Sequence, residues 1–351
     1  MAVSDNDMIQ AWTKVLTLSK LEQGQSVGIL TDPSTNKQTL NTAISACQMM
    51  GAIVTRIDLQ AVNGEKSLSR DKSSYVGTTS LTGNPAALAA LKACHLVLDL
   101  MLLLFSPEQD EILRGGTKIL LAVEPPEILI RLLPTLADRA AVLTAADKLA
   151  TAKTMRVRSA AGTDMTFPLG SYPLLKEYGF VDEPGRWDHW PSGFVATWPT
   201  DRSSEGTIVL DCGDIWTPRL TYLTTQITLT VREGYVTDIE GGLDAELLKD
   251  YMAYFNDPDA YAISHVGWGL QKRARWSVLG LYDRESTLGM DARSFAGNFL
   301  FSLGPNNEVG GHNNSHCHID IPMRNCTVSL DGIDVVQQGI LIESESTALS
   351  N

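Results

Sequence analysis

Cysteine is scarce: five residues in 351, Cys47, Cys94, Cys212, Cys317 and Cys326, scattered, odd in number and without a Cys-x-x-Cys pair. That excludes a zinc knuckle or a redox dithiol and fits a reducing compartment, where most of these thiols act as small core residues. Positive charge is also short, with 28 Lys and Arg against 41 Asp and Glu, a formal net charge of −13. No Lys/Arg-rich run offers a local exception, so nucleic acid is not an expected partner. Long hydrophobic runs are missing too. The longest, Leu96 to Phe105, is broken by Asp99 and is too short to span a bilayer. Met1-Ala2-Val3-Ser4-Asp5 has neither the basic nor the apolar part of a secretory leader. The expectation is a cytoplasmic protein without a membrane partner. No GxGxxG follows the first strand and no GxxxxGK[ST] occurs, so nucleotide binding would rest on fold analogy alone.

What is present suits two folded domains. Hydrophobic residues make up 44% and charged residues 20%, enough apolar side chain for a sizeable core. Ser26 to Thr31 reads as a buried strand, Lys37 to Met50 as a helix stopped by Gly51, and Ala52 to Leu59 as a strand. His95 to Leu104 and Thr117 to Val123 read as further buried strands, Pro125-Pro126 as a helix start, and Arg139 to Ala152 as a last helix. Strands separated by helices predict an α/β N-terminal domain, Rossmann-like, over 1–152 with a mostly parallel sheet.

Residues 153–351 read as an α+β domain that carries the candidate metal site. Strands are expected around Ala161-Gly162-Thr163, over Gly206 to Cys212, through Thr225 to Ile239 with a turn at Glu233-Gly234, and from Cys317 to Leu341 with a turn at Asp331-Gly332. A helix is expected from Asp244 to Phe255. Asp182 to Pro199, rich in Trp, Pro and Gly, reads as a long loop, and Glu343 to Asn351 as a fraying polar end.

Of six histidines, three fall within seven residues: His312, His316 and His318, in a Gly/Asn loop that feeds a strand ending in Asp320. Side chains two apart on a strand share a face, which would align His316, His318 and Asp320. A short His-x-Asp alone is more often surface polarity beside a turn, but this density of ligand atoms favours a metal site. His265, in the small-residue stretch Ala262 to Gly269, would alone read as a core histidine. As a third ligand it completes two histidines and one carboxylate, the set typical of non-haem iron(II) enzymes.

Gly193 with Pro199, His265 to Gly269, and Gly310 to Pro322 together resemble the thermophilic-aminopeptidase family of metalloproteases. The resemblance departs where that family carries carboxylates and a further histidine: Phe194 and His265 replace two acids, and Leu300 to Gly304 holds no His. A two-metal peptidase site needs bridging and flanking carboxylates, so their loss leaves room for one metal. The combination, with Leu102-Leu103-Leu104, Trp187-Asp188-His189-Trp190 and Asn298 to Gly304, is similar to the 2,5-dihydroxypyridine 5,6-dioxygenases of nicotinate breakdown. That resemblance implies Fe(II) held by His265, His318 and Asp320, and opening of a small aromatic substrate by O₂ to N-formylmaleamate. A two-metal aminopeptidase is the alternative. The resemblance also implies a histidine base where this chain has Phe105, which would make it an impaired variant, with His189 next in line. Glu177, His189, Arg293 and Ser302 are candidates to orient the ring, Trp190 and Phe194 to wall it, and His312 and His316 to support the ligands. Left to composition, Glu177 and Arg293 would be solvated charges and Phe105 the continuation of a core strand. A homo-oligomer is expected.

Overall fold

The computed structural model describes residues 3–60, 76–282 and 286–342, and the polar end from Glu343 onward lies outside them. Two compact units interleave along the chain: Met1–Arg139, Glu177–Gly193 and Leu281–Met290 form one, and Ala140–Lys176, Phe194–Gly280 and Asp291–Asn351 the other.

The first unit is built on five parallel strands. Ser26–Thr31 sits between Ile53–Asp58 and Leu96–Asp99, followed by Lys118–Leu121 and Trp187–His189. The inner strands are buried along their length, as parallel strands covered on both faces must be. The helix Lys37–Met49 returns the chain after the first strand, its first turn capped by Asn36, whose side chain accepts from Thr39 N–H. The last strand is a correction. It lies inside the stretch expected as a loop, Asp182 to Pro199, which also holds the strand Phe194–Thr197. A three-residue strand in Trp/Pro/Gly-rich sequence leaves no period to detect.

The third strand is a second correction. It ends at Asp99 rather than running on to Leu104. The buried Asp99 carboxylate accepts the N–H groups of Met101, Leu102 and Leu103 at 3.0, 2.9 and 2.5 Å. An apolar run therefore turns without leaving backbone donors unmet. Leu102 and Phe105 take positive φ, 84° and 48°, inside that turn. Phe105 is half-buried at the loop's end, not a core strand residue, and its N–H donates to Gln109 Oε1 at 2.8 Å. Ser106 then caps the helix Pro107–Arg114. Asp99→Asn should cost about 1–3 kcal/mol, because its amide can accept for one oxygen only and sets N–H against N–H at the other. Denaturant unfolding with an unchanged midpoint would contradict this.

The second unit holds two large sheets, besides the short antiparallel pair Ile215–Trp216 and Thr221–Tyr222. Eight strands run from Tyr235–Gly241 through Ile227–Arg232, Glu205–Leu210, Asp164–Pro168, Thr154–Ser159, Cys326–Leu330 and Ile333–Gln337 to Ile340–Leu341. The hairpins at Glu233-Gly234 and Asp331-Gly332 fall where the turn residues place them. The other sheet orders Ile319–Met323, Phe299–Leu303, Ile263–Gly269, Phe194–Thr197 and Leu174–Glu177. Met165, Phe167, Ile208 and Leu229 from the first sheet share a core with Val266, Phe299, Phe301 and Ile321 from the second. Strand alternation then turns His265, Ser302 and Asp320 to the other face of the five-stranded sheet.

Candidate metal centre

His265 reaches that face through an irregularity. Ile263 pairs with Leu303 and Val266 with Phe301, so one strand has an extra residue between the two pairs. Such a bulge re-aims a side chain without breaking the sheet. Ser302 stands opposite it, its Oγ accepting from His265 N–H at 2.9 Å and donating to His265 C=O at 3.4 Å. The candidate ring-orienting hydroxyl thus holds the backbone of a candidate ligand. Gly267, two residues on, has no room for a side chain, since a Cβ there would collide with the Val195 carbonyl.

Asp320 pairs with Ser302 in register, and His318 precedes it by two residues. Both are buried, whereas His316, expected on the same face, is exposed because it lies in a bend before the strand begins. His312 is likewise no support for the ligands. It is exposed, and its Nδ1 pairs with Asp201 at 2.7 Å.

The Nε2 atoms of His265 and His318 lie 3.1 and 3.3 Å from Asp320 Oδ1. These distances would allow hydrogen bonds, but the directions do not, and Oδ1 is buried without such a partner among the described residues. Three ligand atoms converging on a common point explain both facts. A divalent ion with bonds of about 2.1 Å sets neighbouring ligands at right angles about 3.0 Å apart. Asp320 Oδ2 is held by Arg293 Nε at 2.6 Å, so Arg293 is a buried partner of the carboxylate, not a solvated charge. Burial pushes the Asp320 carboxyl up, but the Arg293 guanidinium and the two imidazoles outweigh it and hold it well below the usual carboxylate range. Asn298, which the sequence reading missed, accepts from Gly269 N–H and donates to the Ala292 and Arg293 carbonyls, fixing the segment that presents the arginine.

Of the other residues named from sequence, Glu177, His189 and Trp190 lie in the first unit. Glu177, a ring-orienting candidate that composition alone would leave in solvent, is fully buried and paired with His189 Nε2, and His189 Nδ1 contacts the Pro191 carbonyl at 2.8 Å. Burial raises the Glu177 carboxyl against the pull of His189. His189 is raised despite burial, because the Glu177 and Asp188 charges favour its protonated form. Asp188 sits beside them but cannot complete a second metal set. Its oxygens already accept from Tyr178, Gly179 and His189 N–H and from Arg186 Nη2. Trp190 is a core residue of this unit, edge-on to Trp12 and donating Nε1–H to the Leu129 carbonyl at 2.9 Å. Phe194 is buried in its strand in the second unit.

A family model described as NicX, 2,5-dihydroxypyridine 5,6-dioxygenase, matches residues 7–343. The 2,5-dihydroxypyridine 5,6-dioxygenase of Pseudomonas putida KT2440 is 51% identical over 347 residues, 99% of each chain. The solved structure of 2,5-dihydroxypyridine dioxygenase from the same strain superposes with a TM-score of 0.96 at 51% identity, covering 99% of this chain and 100% of that one. Wild-type AmpT from Thermus thermophilus shares the fold, with a TM-score of 0.59 at 13% identity over 97% of this chain and 100% of that one. Among the described residues no helix is long and apolar enough to cross a membrane.

Proposed function

The chain belongs to the 2,5-dihydroxypyridine 5,6-dioxygenase family, and from that membership we propose that it opens 2,5-dihydroxypyridine with both atoms of O₂ to N-formylmaleamate, using one iron(II). The observation that carries the metal is the buried convergence of His265, His318 and Asp320, two imidazole nitrogens and one carboxylate oxygen. When bound, iron(II) supplies the electron path between an electron-rich ring and dioxygen. The residues supply the rest. Arg293 keeps Asp320 ionised, and Ser302 holds the bulge that aims His265. Glu177 and His189, paired Oε2 to Nε2 within the first unit, are candidate proton-exchanging groups. Family resemblance puts a base at position 105, where Phe cannot serve, with His189 next in line.

Oxygen uptake by the iron-loaded protein on addition of 2,5-dihydroxypyridine tests the reaction. Uptake that never exceeds the rate without substrate would sink it. The same reading expects no peptidase activity, even with zinc or cobalt supplied. Phe194 and His265 stand where a two-metal site needs carboxylates. Chelator-sensitive release of amino acid from a dipeptide would overturn that expectation.

A further inference from the structure

Trp198 and Glu308 adjoin the metal set without belonging to it. The Trp198 ring meets the His265 ring edge-on, with centroids 5.9 Å apart. Its Nε1–H donates to Glu308 Oε1 at 3.0 Å, which fixes one end of that carboxylate. The other oxygen, Oε2, is shut off from solvent with no hydrogen-bond partner, and so is Nδ1 of His265. One is an acceptor in need of a donor. The other is the ring nitrogen left over once Nε2 turns toward Asp320. Burial raises the Glu308 carboxyl and the His265 charge acts against that, so the two groups are within electrostatic reach.

We propose that Glu308 is the positioning residue for His265: its carboxylate accepts the Nδ1–H of that imidazole through one bridging water, and so fixes Nε2 toward the metal. The inference rests on the metal reading above. A histidine ligand whose other N–H is held by a carboxylate is locked in tautomer and orientation and made more basic. The carboxylate is suited to the task because it accepts at both ends. A glutamine at 308 cannot do so: with its carbonyl toward Trp198 it turns an N–H at His265, and reversed it turns an N–H at Trp198.

The test is anaerobic titration of iron(II) against a chromogenic chelator in the parent, Glu308→Gln and Trp198→Phe proteins, with thermal unfolding of each metal-free form. Glu308→Gln should bind iron ~10- to 100-fold more weakly, the usual cost of removing such a partner, at a nearly unchanged metal-free melting temperature. Trp198→Phe, which keeps the ring but loses the N–H, should shift affinity the same way by less. Should Glu308→Gln fail to fold, proton NMR of cobalt(II)-loaded protein decides. The His265 Nδ1–H should be shifted and slow to exchange in the parent and faster in Trp198→Phe. Equal iron affinity in Glu308→Gln, or an exchange rate untouched by Trp198→Phe, overturns the role of Glu308 and leaves the metal reading intact. A parent protein that binds no iron overturns both.

Discussion

Alanine at His265 or His318 should strip the chain of iron and, with it, of ring opening. The parent protein should carry one iron per chain, and each variant close to none. The loss should exceed the roughly 10- to 100-fold that removing a supporting group costs, because a bond to the metal itself is gone. The two histidine variants are the clean ones. Asp320→Ala removes the carboxylate that Arg293 holds at 2.6 Å, and breaking a buried pair of this kind costs about 3–5 kcal/mol. That variant should therefore lose stability as well as metal, while the histidine variants keep the Arg293–Asp320 pair and fold. Metal analysis of anaerobically prepared protein, with denaturant unfolding alongside, separates these effects. Two metals per chain in the parent, or full occupancy in either histidine variant, would contradict the ligand assignment.

Phe105→His should raise turnover by ~100- to 10,000-fold, the usual contribution of a general base. Iron content should stay unchanged, since Phe105 is not among the ligands. Two lines of reasoning meet at this position. The family resemblance places a histidine base there, and the backbone has φ +48°, a conformation uncommon for a bulky residue and several-fold more accessible to His. The substitution should therefore not cost backbone strain. A neutral imidazole can take a proton from a ring hydroxyl, and a phenyl ring cannot. The sign of the pH effect follows. The gain should be small at low pH, where the imidazole is protonated, and should grow as pH rises through ~6.5. Oxygen uptake by both proteins from pH 5 to 9 reads it directly. Equal rates throughout would make position 105 a loop residue and pass the role of base to His189.

Much of this was legible in the sequence because local rules decided it. The two-residue spacing of His318 and Asp320 gave a shared face, and Glu233-Gly234 and Asp331-Gly332 marked real hairpins. His265 was legible only in combination: nothing local announces the bulge that aims it, which depends on pairing with Phe299–Leu303, far away in sequence. The burial of Arg293 and Glu177, both named as candidates to orient the ring, was not legible, because burial of a charge is set by a partner distant in sequence, Asp320 for one and His189 for the other. The strand expected to reach Leu104 failed for a different reason. Hydrophobicity reports burial, and the loop after Asp99 is buried too, its donors taken up by a single carboxylate. His316 shared the sequence spacing of His318 but lies in a bend three residues before the strand Ile319–Met323, whereas His318 immediately precedes it, so alternation did not reach His316. The resemblance supplied what spacing could not, namely the ring, the oxygen chemistry and the expectation at position 105.

The most direct test of iron-dependent dioxygenation is isotopic. Protein stripped of metal and reloaded anaerobically with iron(II), then given 2,5-dihydroxypyridine under ¹⁸O₂, should form N-formylmaleamate labelled twice, once in the new carboxylate and once in the formyl group. The same protein loaded with zinc(II) should form none. A product carrying one label or no label, or equal turnover with zinc, would contradict it.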